Sequence, residues 1–376
     1  MNYITFFSFL NFLFYCVTYG LSKSAFWANA SLGKSRRRWV VFFSILFCLI
    51  PFWGGDYFHY MEIFPMLKQG WNQLNVEEIY EFFARYSPDY HFFRFIIWGT
   101  AFWLVCKCIR ILHLNFDLSI FFFTSLFLYK FSYARVSLCM AIMYLGLAVM
   151  SKNKLKELII GLTLVISSFY FHKSSFFGIA IIIASFAISN MTKRTIFYLF
   201  ILFPIFVVLV QVLIGDYLSM NIERGSMNMG AGQTYMTNEN VAIGIGEYIM
   251  NILWRSMIYL IAYLYIKIIY DGNYVQLPRR IKYFANASFL TVYASSIFAF
   301  NLGINTTVIY NRFLNFCMLP SVFFLSSCYA NRIHKRLIKI IICVGSAAAV
   351  YTLLYSTYLN DDNAAKYMLI LNAYLK

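Results

Sequence analysis

The chain has 376 residues, of which 61% are hydrophobic, 21% aromatic and only 12% charged. A soluble globular chain carries about 25% charged residues, so the surplus of apolar surface excludes an ordinary water-soluble fold. The net charge of +16 does not mark a nucleic-acid binder, because the basic residues form short clusters between apolar runs, as in the loops of membrane proteins.

In chain order, the apolar runs that reach toward the roughly 20 residues a spanning helix needs are Tyr3–Leu21, Trp39–Trp53, Phe95–Leu112, Asp117–Leu128, Val136–Met150, Leu158–Phe171, Ser174–Ser189, Ile196–Ile214, Tyr248–Ile269, Ala285–Leu302, Phe313–Ala330 and Ile338–Leu359. The expected fold is all-α: one transmembrane helical bundle over residues 1–376 with about 12 spans. The runs between 117 and 171 are short, which predicts half-spans or helices that extend past their charged turns. Ala28-Asn29-Ala30 passes for a signal-peptidase site, but the first charge, Lys23, and Arg36-Arg37-Arg38 follow the apolar run instead of preceding it. A secretory signal has the opposite order, so the segment reads as a retained helix with its N-terminus outside.

That start places about 20 of the 31 Lys and Arg on inside turns and about 12 of the 15 acids outside, the sense that the positive-inside rule favours. Both termini are then expected outside. Two outside loops are long, 54–94 and 215–247. Long loops cover sites or are disordered. Within the first, Val76–Tyr86 has helical spacing, with Ile79, Phe82 and Phe83 opposite the acids, and predicts a short amphipathic helix at the membrane surface. The eight cysteines form no CxxC pair, which argues against disulfide or zinc frameworks.

The outside helix ends carry ionisable residues against the topology bias. Asp56 lies in Gly55-Asp56-Tyr57-Phe58-His59-Tyr60. Arg135 opens the fifth run, His172 and Lys173 link the sixth to the seventh, Arg255 lies about two turns into the ninth, and Arg312 opens the eleventh. Charges at such depth usually face a cavity or a partner. Guanidinium forks match phosphate oxygens, and a carboxylate or imidazole beside them can take a proton from a hydroxyl. Arg135, Lys130 and Lys173 also fit as snorkelling end residues, Asp56 as a turn cap, and His172 as the owner of a structural hydrogen bond. Tyr57 and Tyr60 suit either an interfacial belt or a sugar cleft.

These residues resemble, in order and spacing, the EpsG-like, Wzy-type polysaccharide polymerases of O-antigen, capsule or exopolysaccharide synthesis. Gly55-Asp56-Tyr57-x-x-Tyr60 resembles that family's G-D-Y-x-x-Y feature. Ser87-Pro88-Asp89-Tyr90 sits at its Glu-Pro-aromatic step, with the acid after Pro88 instead of before it. Arg135-x-x-x-x-x-Ala141, Phe171-His172-Lys173-Ser174 and Asn311-Arg312-Phe313 resemble its later motifs. The resemblance implies a bacterial inner-membrane glycosyltransferase that joins undecaprenyl-diphosphate-linked oligosaccharides, with membrane lipids around it and a chain-length regulator and flippase as candidate partners. Under it, Arg135, Arg255 and Arg312 hold the diphosphate, Asp56 or His172 is the base, and Tyr57 and Tyr60 bind sugar. No outside DxD-like pair is present, so neither a metal nor a cofactor is expected. A lipid-linked oligosaccharide flippase, an O-antigen ligase, a membrane acyltransferase and a non-enzymatic scaffold are the competing readings.

Overall fold

The computed structural model describes residues 3–49, 55–70, 77–131, 134–188, 190–223, 245–301 and 313–358. Among these residues no strand occurs, and the helices are α1 (Tyr3–Trp27), α2 (Lys34–Leu49), α3 (Gly55–Lys68), α4 (Glu78–Tyr86), α5 (Tyr90–Ile111), α6 (Phe116–Phe122), α7 (Ala134–Met150), α8 (Leu155–Ser167), α9 (Ser175–Ala187), α10 (Lys193–Glu223), α11 (Ile245–Tyr270), α12 (Arg279–Asn301), α13 (Met318–Ala330) and α14 (Lys335–Tyr358). Over its described residues, each apolar run read from the sequence falls on a helix. Four stretches among the described residues are long and apolar enough to cross a membrane by length and composition: Tyr90–Ile111, Tyr248–Tyr270, Phe313–Ala330 and Lys335–Leu354. Shorter apolar helices cover Phe116–Phe127, Val136–Met150 and Ser175–Ala187. The chain is an all-α membrane protein.

Turn chemistry sets the helix limits. Asp89 caps α5 by accepting from the Phe92 amide at 2.8 Å, and Asn115 caps α6 by accepting from the Leu118 amide at 3.1 Å. A side-chain oxygen at this position satisfies one of the amides that the first turn leaves free. At the other ends, His113, Asn153 and Gly272 take left-handed backbone conformations with φ of 55°, 56° and 75°, which stops helical propagation.

The sequence reading treats 54–94 as a loop, yet α3 occupies its first part and α5 begins at Tyr90, inside its boundary. Arg94 therefore lies within a helix and is buried. Its Nη2 donates to the Cys48 carbonyl at 2.6 Å, a cation placed on the C-terminal carbonyls of α2, where the helix dipole favours it. The expected amphipathic helix is α4, but the face it packs on the bundle is Tyr80 and Ala84, with Tyr80 edge-on to Phe93. Phe82 and Tyr86 are exposed and pack on each other at 4.9 Å, which suits a helix lying on lipid. Of the second expected loop, 215–223 continues α10 and 245–247 opens α11; residues 224–244 lie outside the described residues.

The centre of the bundle is the segment formed by α6 and the wider π-helical turn Phe123–Phe127 that extends it. Every residue from Asp117 to Phe131 is buried. At about 1.5 Å per residue the segment Phe116–Phe127 is about 18 Å long, short of the roughly 30 Å hydrocarbon core. Asp117 anchors its start. The carboxylate accepts from Arg37 Nε, from Arg37 Nη2 at 2.7 Å, from the Leu32 amide at 2.9 Å and from Ser31 Oγ at 3.2 Å. Hydroxyls service the loosened ladder: Thr124 Oγ1 and Ser125 Oγ donate to the carbonyls of Ile120 and Phe121, and Tyr15 Oη donates to the Ser125 carbonyl at 2.9 Å. Around it, Phe26 stacks on Phe121 at 5.0 Å and meets Tyr329 at 4.5 Å.

The same end of the bundle holds a second knot. Tyr265 Oη and Tyr274 Oη both donate to Asn286 Oδ1, at 2.7 and 2.9 Å, while Asn286 Nδ2 donates to the Ile188 carbonyl. Burial pushes the Tyr274 phenol, in the turn after α11, up to about 12, so it stays a donor at any physiological pH. Helices α7 and α8 approach so closely that a Cβ added to Gly161 would lie 2.6 Å from the Gly146 carbonyl and 2.8 Å from the Met150 amide nitrogen. Small residues let membrane helices approach in this way. Gly161→Val is expected to lose about 1–3 kcal/mol by overpacking, seen as a lower melting temperature in detergent. Gly99→Ala, which meets nothing within 4 Å, should melt as the parent does.

Candidate functional site

The link between α8 and α9 is short and tightly wound. A single 3-10 turn, Ser168–Tyr170, follows α8. The His172 amide then donates to the Ser168 carbonyl at 3.2 Å, and the Ser175 amide to the His172 carbonyl at 2.9 Å. This geometry turns the His172 ring inward, leaving its side chain 15% exposed. Nδ1 lies 3.2 Å from both the amide nitrogen and the hydroxyl of Ser174. It also lies 3.6 Å from Oε1 of Glu77, a carboxylate only 7% exposed. The same Oε1 accepts from the Lys173 amide at 3.3 Å. The segment leading into α4 is thus tied to the α8–α9 link. Glu77 counts in the sequence only as one acid among several in the first long loop, and no spacing rule connects it with a histidine 95 positions later.

On the helix facing this link, the Cys139 thiol lies beside the hydroxyls of Ser168 and Ser175 and within the electrostatic reach of Glu77. Arg135 precedes Cys139 by about one helical turn, on the first turn of α7. Phe177 stacks on Phe313 at 4.2 Å, which sets the segment leading into α13 against α9.

A second cationic position lies where the central segment ends. Lys130 is 8% exposed, and its Nζ stands 5.3 Å from the centre of the Trp254 ring and 5.9 Å from that of Tyr129. Desolvated cation–π contacts of this kind contribute about 2 kcal/mol each. Phe131 holds the turn in place through edge contacts with Phe102 and Phe123 and a tilted one with Trp98. Ser137 Oγ donates back to its carbonyl at 2.5 Å. Trp254 packs edge-on against Phe127 and Tyr129. Its neighbour Arg255 is half-buried, with Nε shielded from solvent. Lys130 fits a snorkelling end residue in the sequence; the structure instead seals it among aromatic rings.

The residues read from the sequence distribute as follows. His172 and Arg255 have described side chains. The backbone puts Asp56, Tyr57 and Tyr60 on the first turns of α3 and Arg135 on the first turn of α7; their side chains lie outside the described atoms, and Arg312 lies outside the described residues. The Glu77–His172 pair, the start of α7 and Phe313 come together at one end of the bundle, opposite the Arg37–Asp117 clamp. Among the described residues no group of three or more His, Cys, Asp or Glu side chains is placed to hold a metal ion.

The chain belongs to the EpsG family, whose model matches residues 36–369. The match takes in every residue named above for the site. No curated protein and no solved structure matches the chain.

The Lys130 cage sets an expectation for stability. Trp254→Ala should cost about 3–5 kcal/mol as a buried aromatic truncation. Trp254→Phe, which keeps a ring face toward Lys130, should lose less than half of that. Thermal unfolding of the detergent-solubilised variants measures the difference.

Proposed function

We propose that the chain is a polysaccharide polymerase of the bacterial inner membrane that joins undecaprenyl-diphosphate-linked oligosaccharide repeat units at the outer face. The observation that carries this reading is the gathering of the Glu77–His172 pair and the start of α7 at the bundle end opposite the clustered Lys and Arg turns, in a chain of the EpsG family. In this reading about 12 helices cross the bilayer, both termini lie outside, and the basic turns face the cytoplasm, as the positive-inside rule requires. Helices α3 and α4 then lie on the outer side.

The reaction is a displacement at the anomeric carbon of the growing chain. The acceptor sugar hydroxyl gives its proton to His172 or Asp56, and its oxygen bonds to the anomeric carbon. The bond from that carbon to the lipid diphosphate breaks, and its electron pair leaves on the phosphate oxygen. Arg135, Arg255 and Arg312 take up the charge that develops there, which needs no metal and no cofactor. Fixed donors aimed at developing charge are worth about 10²–10³ in rate each. Tyr57 and Tyr60 hold sugar by ring face and hydroxyl edge.

In the producing strain, replacing the parent with Arg135→Ala, Arg255→Ala or Arg312→Ala at equal protein level should leave single repeat units on the surface. Longer bands on a polysaccharide gel should fall at least tenfold. Wild-type banding from all three variants would remove the diphosphate-binding role of these arginines. Loss of all surface sugar after deletion would favour a flippase, and full-length polymer left on its lipid carrier would favour a ligase.

A further inference from the structure

We infer that Lys23 and Trp27 of α1, with Lys335 and Lys339 of α14, form a binding site for the phosphate headgroup of an acidic phospholipid at the bundle end that carries the Arg37–Asp117 clamp. The inference is independent of the polymerase reading above.

Helix α1 ends at Trp27, and α14, which packs along it, begins at Lys335. Lys339 Nζ stands 5.9 Å from the centre of the Trp27 ring, and Lys335 Nζ stands 4.9 Å from that of Tyr329. Both rings are tied to α1. Trp27 Nε1 donates to Tyr19 Oη at 3.3 Å, and Tyr329 Oη donates to the Phe26 carbonyl at 2.9 Å. Lys23 lies one turn before Trp27, on the same face of α1. From the other flank, Arg36 Nη1 of α2 donates to Ser24 Oγ at 3.3 Å. Three helices thus gather cations around one indole. Lys23, Arg36 and Lys339 are exposed. A lysine over a ring face still carries N–H groups that point elsewhere, so these side chains can donate to an anion.

Two acids at this end are already engaged. Asp117 is buried and held by Arg37, and Asp271 faces Lys267 at 3.6 Å and His334 at 3.1 Å. An anion that bridges the lysines relieves their mutual repulsion. The surroundings of the cations identify that anion as a lipid. Trp27 is exposed, and so are Trp39 and Phe42 on α2, beside Arg38. Indole rings settle at the headgroup level of a bilayer. Lys335, Lys339 and Cys343 follow one another at four-residue spacing on one stripe of α14. Cys343 and the neighbouring Ile340 are exposed. A phosphodiester held between Lys23, Lys335 and Lys339 therefore has apolar surface beneath it for its acyl chains. A soluble polyanion would leave both the rings and that surface uncovered. Basic clusters at the end of a spanning helix attract acidic lipid, by about fivefold in affinity for each cation.

The test compares the full-length protein in nanodiscs of phosphatidylcholine alone and of equal parts phosphatidylcholine and phosphatidylglycerol. The readouts are the melting temperature and, by native mass spectrometry in a lipid titration, the affinity for phosphatidylglycerol. The parent should melt several degrees higher in the acidic discs. The triple variant Lys23→Gln, Lys335→Gln and Lys339→Gln should melt within a few degrees of the parent in phosphatidylcholine. It should gain little from acidic discs and bind phosphatidylglycerol at least tenfold more weakly. Arginine at the same three positions should keep the binding. Removing the same charge from the exposed α7–α8 turn, as Lys152→Gln, Lys154→Gln and Lys156→Gln, should leave the parental affinity. If the first triple variant unfolds, Lys23→Gln alone carries the test, with an expected loss of about fivefold. Equal losses from the two triple variants, or a parent indifferent to the acidic discs, would overturn the site. An equal rise in melting temperature from inorganic phosphate added to phosphatidylcholine discs would overturn the lipid as its occupant.

Discussion

A peptide segment that stops partway across a bilayer has no water to receive the polar groups at its end, so protein must receive them. By its length, the segment Phe116–Phe127 meets that constraint in this chain. It is about 18 Å long, ends in a π-helical turn, and is buried from Asp117 to Phe131. The surrounding architecture follows from it. Helix α1 lends Tyr15 to a carbonyl of the loosened turn and Phe26 to a stack against Phe121. Helix α2 sends Arg37 to the carboxylate that starts the segment. Helix α13 closes the remaining side with Tyr329, whose hydroxyl donates to the Phe26 carbonyl at 2.9 Å.

The place where this segment stops is also where chemistry becomes possible. A chain that ends its helix inside the bundle can set a charged side chain at a depth no spanning helix would tolerate. Lys130 is held there by the faces of Trp254 and Tyr129, whose negative π-clouds partly replace lost water. The His172 link works by a related economy. A short turn between α8 and α9 leaves backbone amides of residues 173 and 174 unused by any helix, and they fix a carboxylate and an imidazole beside each other. Polar groups in a low-dielectric site hold each other more strongly than in water, so two backbone contacts help keep the carboxylate and the imidazole together.

Helix α4 connects this interior to the surface. Its Tyr80–Ala84 face packs on α5 while Phe82 and Tyr86 remain outside. The acid that meets His172 stands at its first turn. The start of α4 is thereby tied to the α8–α9 link through Glu77.

The amino-acid sequence by itself determined the class of the molecule and most of its linear plan. Long apolar runs have one stable form in lipid, because only a helix satisfies its own backbone; every run read that way is helical over its described residues. The helix α4 was legible for the same kind of reason, since a 3.6-residue period is a local signal. What only the tertiary structure decided is which distant residues meet. Glu77 and His172, Arg37 and Asp117, and Lys130 and Trp254 are joined by packing between helices. No periodicity encodes such a pairing, and a helix with apolar residues all around gives no sign of which side faces protein. For the same reason α3 read as loop, and Arg94 read as a loop boundary before folding buried it against the end of α2.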